Sequence, residues 1–234
     1  MLFSLEDLLE RLERVRERIQ SVAEKTGRDP ASIRILPVTK TLPASAVRAA
    51  VSVGLNIVGE NRVQEAVAKM KEVQVEVSWE LIGHLQSNKV RLAVEHFDRI
   101  QSVDTAKRVE QINRQAAGVG KTMAILLQIN AGRDPAKFGA DLDEAPALLE
   151  RALACENLRV DGLMTIAPLS DDPAVARHAF ARLHSCRESL EKRFGCRLPE
   201  LSMGMSDDFE DALYEGSTLL RLGSVLFGPR ENRV

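Results

Sequence analysis

Short apolar runs alternate with amphipathic stretches along this chain. Runs rich in aliphatic and β-branched residues occur at 33–38, 55–58, 77–82, 99–103, 123–129, 158–164, 199–202 and 219–222. Between them lie segments of helical spacing at 44–53, 63–73, 87–95, 106–117, 144–154, 173–194 and 207–214. Alternation of this kind implies parallel strands joined by right-handed crossovers. The runs read as apolar on both faces, as in a sheet covered on both sides. Eight such units in 234 residues favour a single α/β domain, a (β/α)8 TIM-type barrel, over an open doubly wound sheet. An extra helix precedes the first unit. Leu5, Leu8, Leu9, Leu12, Val15, Ile19 and Val22 form its apolar stripe, Ser4 and Asp7 have capping-box spacing, and Thr26-Gly27 ends it. No repeat, low-complexity tract or Pro/Gly-rich linker divides the chain, so residues 1–234 read as one domain. Residues 132–143 and 169–173 read as the longest irregular stretches.

The formal charge of −2 and pI near 6.1 argue against general nucleic-acid binding, which needs a basic surface. The longest unbroken apolar runs, such as 123–127, are too short to span a bilayer. Acid stands near the N-terminus where a signal peptide carries base. Cys155, Cys186 and Cys196 are an odd set without metal-type spacing, which reads as reduced thiols and neither disulfide nor zinc. The expectation is a cytoplasmic monomer.

In a parallel barrel, chemistry gathers at the carboxyl ends of the strands. Lys40 follows the first. Desolvation at a barrel mouth lowers an amine's pKa, and a neutral amine attacks an aldehyde to give a Schiff base; the plain alternative is a snorkelling surface lysine. Ser202-Met203-Gly204-Met205-Ser206 follows the seventh strand. There Ser206 reads as the N-cap of the next helix, facing an anion or simply capping, with Asp207 and Asp208 favouring the simple cap. Arg221-Leu222-Gly223-Ser224 closes the eighth strand. Barrel phosphate sites are often built from the loops after strands seven and eight, so these two turns together predict a phosphate cradle. His84 follows the third strand without a second ligand at metal spacing, so no metal is expected. Glu60 and Asp104 read as isolated carboxylates. No nucleophile elbow, Walker loop or dinucleotide fingerprint is present. A mouth lysine with a phosphate cradle suits either pyridoxal 5′-phosphate (PLP) or a sugar phosphate handled by an aldolase or isomerase. Arg221, able to face the pyridine nitrogen, leans toward PLP.

Six strings recur in one order: Val38-Thr39-Lys40-Thr41, Gly59-Glu60-Asn61-Arg62-Val63-Gln64-Glu65, Ile82-Gly83-His84-Leu85-Gln86-Ser87-Asn88-Lys89, Gly162-Leu163-Met164-Thr165, Leu201-Ser202-Met203-Gly204-Met205-Ser206-Asp207-Asp208-Phe209 and Arg221-Leu222-Gly223-Ser224-Val225-Leu226-Phe227-Gly228. From about residue 33 to 230 the chain resembles the PLP homeostasis proteins, relatives of the N-terminal barrel of alanine racemase. The resemblance implies that Lys40 carries PLP as a Schiff base. It implies that Ser206, Gly223 and Ser224 hold the phosphate, and that Arg221 faces the ring nitrogen. Asn61 would lie near the ring, with Thr165, Ser202 and Met203 lining the pocket. Glu80 departs from the family, which would have a residue such as His after Trp79, and the loop at Lys137-Phe138-Gly139 is altered.

The implied function is intracellular PLP homeostasis, holding PLP and releasing it to apo forms of PLP-dependent enzymes, without efficient catalysis. The competing reading is a PLP-dependent amino-acid racemase. A cation at the ring nitrogen weakens the ring as an electron sink, and racemases of this type add a tyrosine base from a further domain. Here the only tyrosine is Tyr214, in a predicted helix, and His84 is the stronger candidate for a second base.

Overall fold

The structure, a computed structural model, describes residues 4–229. Residues 1–3, part of the N-terminal stretch read above, and residues 230–234 lie outside the described residues. Eight strands form one parallel sheet: β1 (Arg34–Pro37), β2 (Ile57–Glu60), β3 (Ser78–Leu81), β4 (Arg99–Val103), β5 (Met123–Gln128), β6 (Leu158–Met164), β7 (Glu200–Ser202) and β8 (Leu219–Leu222). Their order is β1-β8-β7-β6-β5-β4-β3-β2. A parallel bridge between Val38 and Gly59 joins the first strand to the second and closes the barrel. Gly59 packs closely there: a Cβ would lie 3.1 Å from Leu36 and 3.2 Å from Ile82, tight enough to make those side chains shift.

The helices α1 (Leu5–Thr26), α2 (Ala44–Ser52), α3 (Val63–Met70), α4 (Val90–His96), α5 (Ala106–Gly118), α6 (Ala145–Leu153), α7 (Pro173–Phe194), α8 (Phe209–Tyr214) and α9 (Ser224–Phe227) wrap the sheet. The Ser4–Asp7 capping box starts α1, and Gly27 ends it in the left-handed conformation. The stripe of α1 is narrower than its spacing suggests, because Leu5 and Leu9 are 47% and 45% exposed. The buried residues, from Leu8 to Val22, pack α1 against α2, α8 and α9 over the junction of the first and last units.

The barrel corrects the reading of its strands as apolar on both faces. Trp79, Leu81, Ile100, Leu201, Leu220 and Leu222 face the helix layer within one large apolar core. The alternate residues point inward, and they are mixed. Leu36, Val38, Ile82 and Leu219 form a small separate apolar cluster. Beside it Glu80, Arg99, Gln101, Ser202 and Arg221 are buried polar side chains. At the amino ends of the strands Arg99 pairs with Glu80 at 2.8 Å, Glu200 at 3.1 Å and Asp161 at 3.5 Å. Buried charges are tolerated only when paired in this way.

Residues 132–140 are also more ordered than an irregular loop. Asn130 brackets Asp134, its Nδ2 donating to the Asp134 carbonyl at 2.9 Å and its Oδ1 accepting the Asp134 N–H at 3.1 Å. Ala140 then bridges back to Ile129. Gly139, at φ +130°, passes so close that a Cβ would lie 2.6 Å from the Asn130 nitrogen. Gln128 Nε2 donates to the Phe138 carbonyl at 2.9 Å, which holds the loop tip over the barrel mouth.

Candidate functional site

A cavity of about 620 Å³ opens at the carboxyl ends of the strands. Lys40, Asn61, Ser206, Arg221, Gly223 and Ser224 all line it, together with His84, Gln128 and Phe138. Six residues expected from the sequence therefore meet in one space, although they come from four separate strand ends. Thr165, Ser202 and Met203 do not line it. All three are fully buried one layer below.

Lys40 sits on an anchored segment. Beneath it the Thr39 hydroxyl donates to Glu60 Oε1 at 2.7 Å, and Lys69 Nζ donates to the Thr39 carbonyl at 2.8 Å and to Glu60 Oε1 at 2.5 Å. Glu60 is thus not isolated, as the sequence suggested, but half of a buried ion pair. Its other oxygen, Oε2, has no partner among the described residues. Burial pushes the Glu60 carboxyl above its usual range, and Lys69 and Thr39 oppose that shift. On the other side, Thr41 adopts φ +65°, an uncommon conformation for a residue with a Cβ. Its N–H donates to Glu65 Oε1 at 2.9 Å, which holds it there. Lys40 therefore projects from backbone fixed before and after it.

Arg221 forms the floor. Its Nη1 donates to the Ser202 carbonyl at 2.7 Å and to Ser202 Oγ at 2.8 Å, and its Nη2 donates to the Thr165 carbonyl at 2.8 Å. The roles of Ser202 and Thr165 are thus to hold Arg221. Burial draws the guanidinium down to about 10, with Asp208 opposing, so it stays a cation at neutral pH. Asp208 turns toward the chain, accepting the Met205 N–H at 2.5 Å. Burial raises its carboxyl, opposed by the Met205 amide and Arg221.

Ser206 is not the N-cap of α8, which begins three residues later and has Asp208 at its cap position. Its hydroxyl instead accepts the N–H groups of Gly223 at 3.2 Å and Val225 at 3.3 Å, across the gap between the last two strand ends. Two backbone amides and the Ser206 hydroxyl therefore meet at one point, with Ser224 in the lining of the same cavity. Convergent amides and hydroxyls of this kind suit a phosphate.

His84 is flanked by groups the sequence did not connect with it. Its Nδ1 lies 3.8 Å from Asp104 Oδ2, so Asp104 is not isolated either. Phe138 stacks on its other side, and at 58% exposure it covers the cavity edge. Phe138 had no periodic signal, because it lies in an irregular loop. Tyr214, the other base considered, does not line the cavity; it sits 39% exposed at the end of α8 beneath Arg177. No group of three potential metal ligands occurs among the described residues.

An amine, an anion cradle and a buried cation around one cavity fit a phosphorylated aldehyde with a basic ring. The comparisons agree with that chemistry. Residues 11–231 match the family "Alanine racemase, N-terminal domain". A protein of Pseudomonas aeruginosa named pyridoxal phosphate homeostasis protein is 40% identical over 225 residues, 96% of each chain. The chain belongs to the pyridoxal phosphate homeostasis protein family. Among solved structures of this kind, PipY of Synechococcus elongatus with PLP bound is 39% identical, with a TM-score of 0.81 over 92% of this chain and all of PipY. An alanine racemase of Clostridium difficile is 14% identical, with a TM-score of 0.78 over 97% of this chain and 58% of that one. At that distance the likeness is one of fold: the homeostasis family shares the racemase barrel.

Proposed function

We propose that this chain binds PLP in the strand-end cavity and serves PLP homeostasis, holding the cofactor and releasing it to apo forms of PLP-dependent enzymes without efficient catalysis. The observation that carries the reading is the meeting of Lys40, Arg221 and the Ser206–Gly223–Ser224 cradle around one cavity. The names of the relatives and the PLP-bound PipY structure support it. Bound PLP supplies an aldehyde that condenses with an amine, one water leaving, and a ring that can draw electrons from an attached amino acid. Lys40 provides the amine. Ser206, Ser224 and the amides of Gly223 and Val225 take the phosphate, Arg221 takes the ring nitrogen, and Asn61 borders the ring. Thr165 and Ser202 act through Arg221, and Met203 packs beneath.

The cation at the ring nitrogen disfavours a proton there and so weakens the ring as an electron sink. Lys40 serves only the face it occupies. Of the side chains considered for the opposite face, only His84 lines the cavity, and it is stacked under Phe138. The whole chain acts as one domain and a cytoplasmic monomer in this reading. Among the exposed large apolar side chains, Leu9, Val119, Leu153 and Leu169 lie on different elements. The three cysteines are free thiols, and no helix among the described residues is long and apolar enough to cross a membrane.

The test is borohydride reduction of PLP-loaded protein, followed by peptide mapping and by α-proton exchange in deuterated water with alanine, serine and glutamate. The expected result is an adduct on Lys40 and exchange far below ordinary enzyme turnover of about 1–10³ per second. An adduct on another lysine overturns the binding mode. Exchange at enzyme rates overturns the carrier role.

A further inference from the structure

A continuous column of hydrogen bonds climbs the barrel interior and ends on Arg221. At its base Arg99 grips Glu80 twice, Nε to Oε2 at 3.1 Å and Nη2 to Oε1 at 2.8 Å. Gln101 Nε2 donates to Glu80 Oε2 at 2.5 Å. The Ser202 hydroxyl donates to Gln101 Oε1 at 2.6 Å, and Arg221 Nη1 donates to Ser202 Oγ at 2.8 Å. All five side chains are buried.

The column has a direction, and it is set from below. A carboxylate only accepts, so Glu80 requires the NH2 end of the Gln101 amide. The carbonyl end then faces Ser202. A hydroxyl has one proton, and once Gln101 takes it Ser202 offers Arg221 only lone pairs. The guanidinium carries five N–H donors. Three go to the Ser202 carbonyl, Ser202 Oγ and the Thr165 carbonyl, which leaves two for the cavity that Arg221 lines. If the amide were reversed or lost, the hydroxyl proton would have no acceptor at Gln101, and the buried oxygen that receives Arg221 Nη1 would no longer be held from below.

We infer that Glu80 and Gln101 are positioning residues that fix how Arg221 presents its free donors to a ligand ring, although neither lines the cavity. The inference rests on the reading that the cavity takes PLP with its ring nitrogen at Arg221. Glu80, which the resemblance alone marked as a departure, thereby gains a definite role, orienting an amide two links away from Arg221.

The experiment is a PLP titration of wild-type protein, Gln101→Leu, Gln101→His and Ser202→Ala, reading both affinity and the absorption band of bound PLP. Leucine keeps volume but removes both ends of the link. A neutral imidazole, with one donor and one acceptor, replaces both. We expect Gln101→Leu to bind about tenfold more weakly, as for the loss of one buried hydrogen bond, and to shift the band, and Gln101→His to restore both. A loss of packing alone would lower the melting temperature without moving the band. If Gln101→Leu does not fold, Ser202→Ala decides by the same two readings, because it removes the link yet keeps the carbonyl that Arg221 also uses. Wild-type affinity and band in the broken column overturn the inference, as does a Gln101→Leu defect that histidine fails to relieve. Wild-type protein that shows no bound band at all overturns the reading of the cavity itself.

Discussion

Phe138 lies flat on the imidazole of His84, their ring centroids 4.0 Å apart and their planes 16° from parallel. The stack joins the loop after β5 to the end of β3 across the cavity mouth. A pair of this kind contributes about 0.5–1.5 kcal/mol beyond area burial. Phe138→Ala should therefore leave the barrel folded, with a melting temperature close to wild type. It should speed the loss of PLP several-fold, as followed by transfer to an apo-enzyme trap. An unchanged release rate would show that the stack does not guard the opening.

Lys40→Ala removes the amine but leaves the cradle and Arg221 in place. The variant should give no reducible adduct, yet PLP should still protect it from thermal unfolding. Complete loss of protection would place all the affinity in the covalent link and none in the cradle.

Ser206→Ala tests the cradle directly. Its hydroxyl already accepts two backbone N–H groups, so the ligand-free variant should lose about 1 kcal/mol of stability. Affinity for PLP should fall by less than about tenfold, because the hydroxyl gives up its backbone partners when it turns to a phosphate. A hundredfold fall in a calorimetric titration would show that Ser206 is idle before the ligand arrives.

Lys69→Met leaves the Glu60 carboxylate buried without its cation, a loss of about 3–5 kcal/mol near neutral pH. The sign of the pH dependence follows from the raised Glu60 carboxyl. A folded-state pKa above the unfolded value means that the folded protein binds more protons through that interval, so stability falls as pH rises across it. Loss of Lys69 raises the folded value further. The deficit of the variant should be full above that raised value and shrink as pH falls through it toward the ordinary 4.5. Urea melts across this range check it; a deficit independent of pH would mean that the charge of Glu60 does not matter.

Much of the barrel was legible because local pattern and tertiary demand agree. β4, β6 and β8 begin and end where the apolar runs do. β2 starts two residues late because the Leu55 N–H is spent on the Ala50 carbonyl in closing α2. The interior was harder. Glu80, Gln101 and Arg221 are single polar residues in runs that read as apolar on both faces, and only closure of the barrel brings the three together inside it. Ser206 was misplaced for a related reason. Ser-Asp-Asp before a helix has every local mark of an N-cap, but the amides it meets belong to Gly223 and Val225, which the sequence separates and the barrel adjoins. The His84–Phe138 stack had no local signal, since neither side of it is periodic.

A carrier is judged by how readily it lets go. The hydroxyl of Ser206 accepts the amides of Gly223 and Val225 in this structure. On the proposed reading, a departing phosphate would not strip two donors bare; it would trade places with a tethered substitute. That exchange lowers the penalty of release on the protein side and spares the empty molecule a collapsed or sticky wall. In the proposed carrier, part of the affinity would be given up in this way in return for an empty state whose donors stay satisfied.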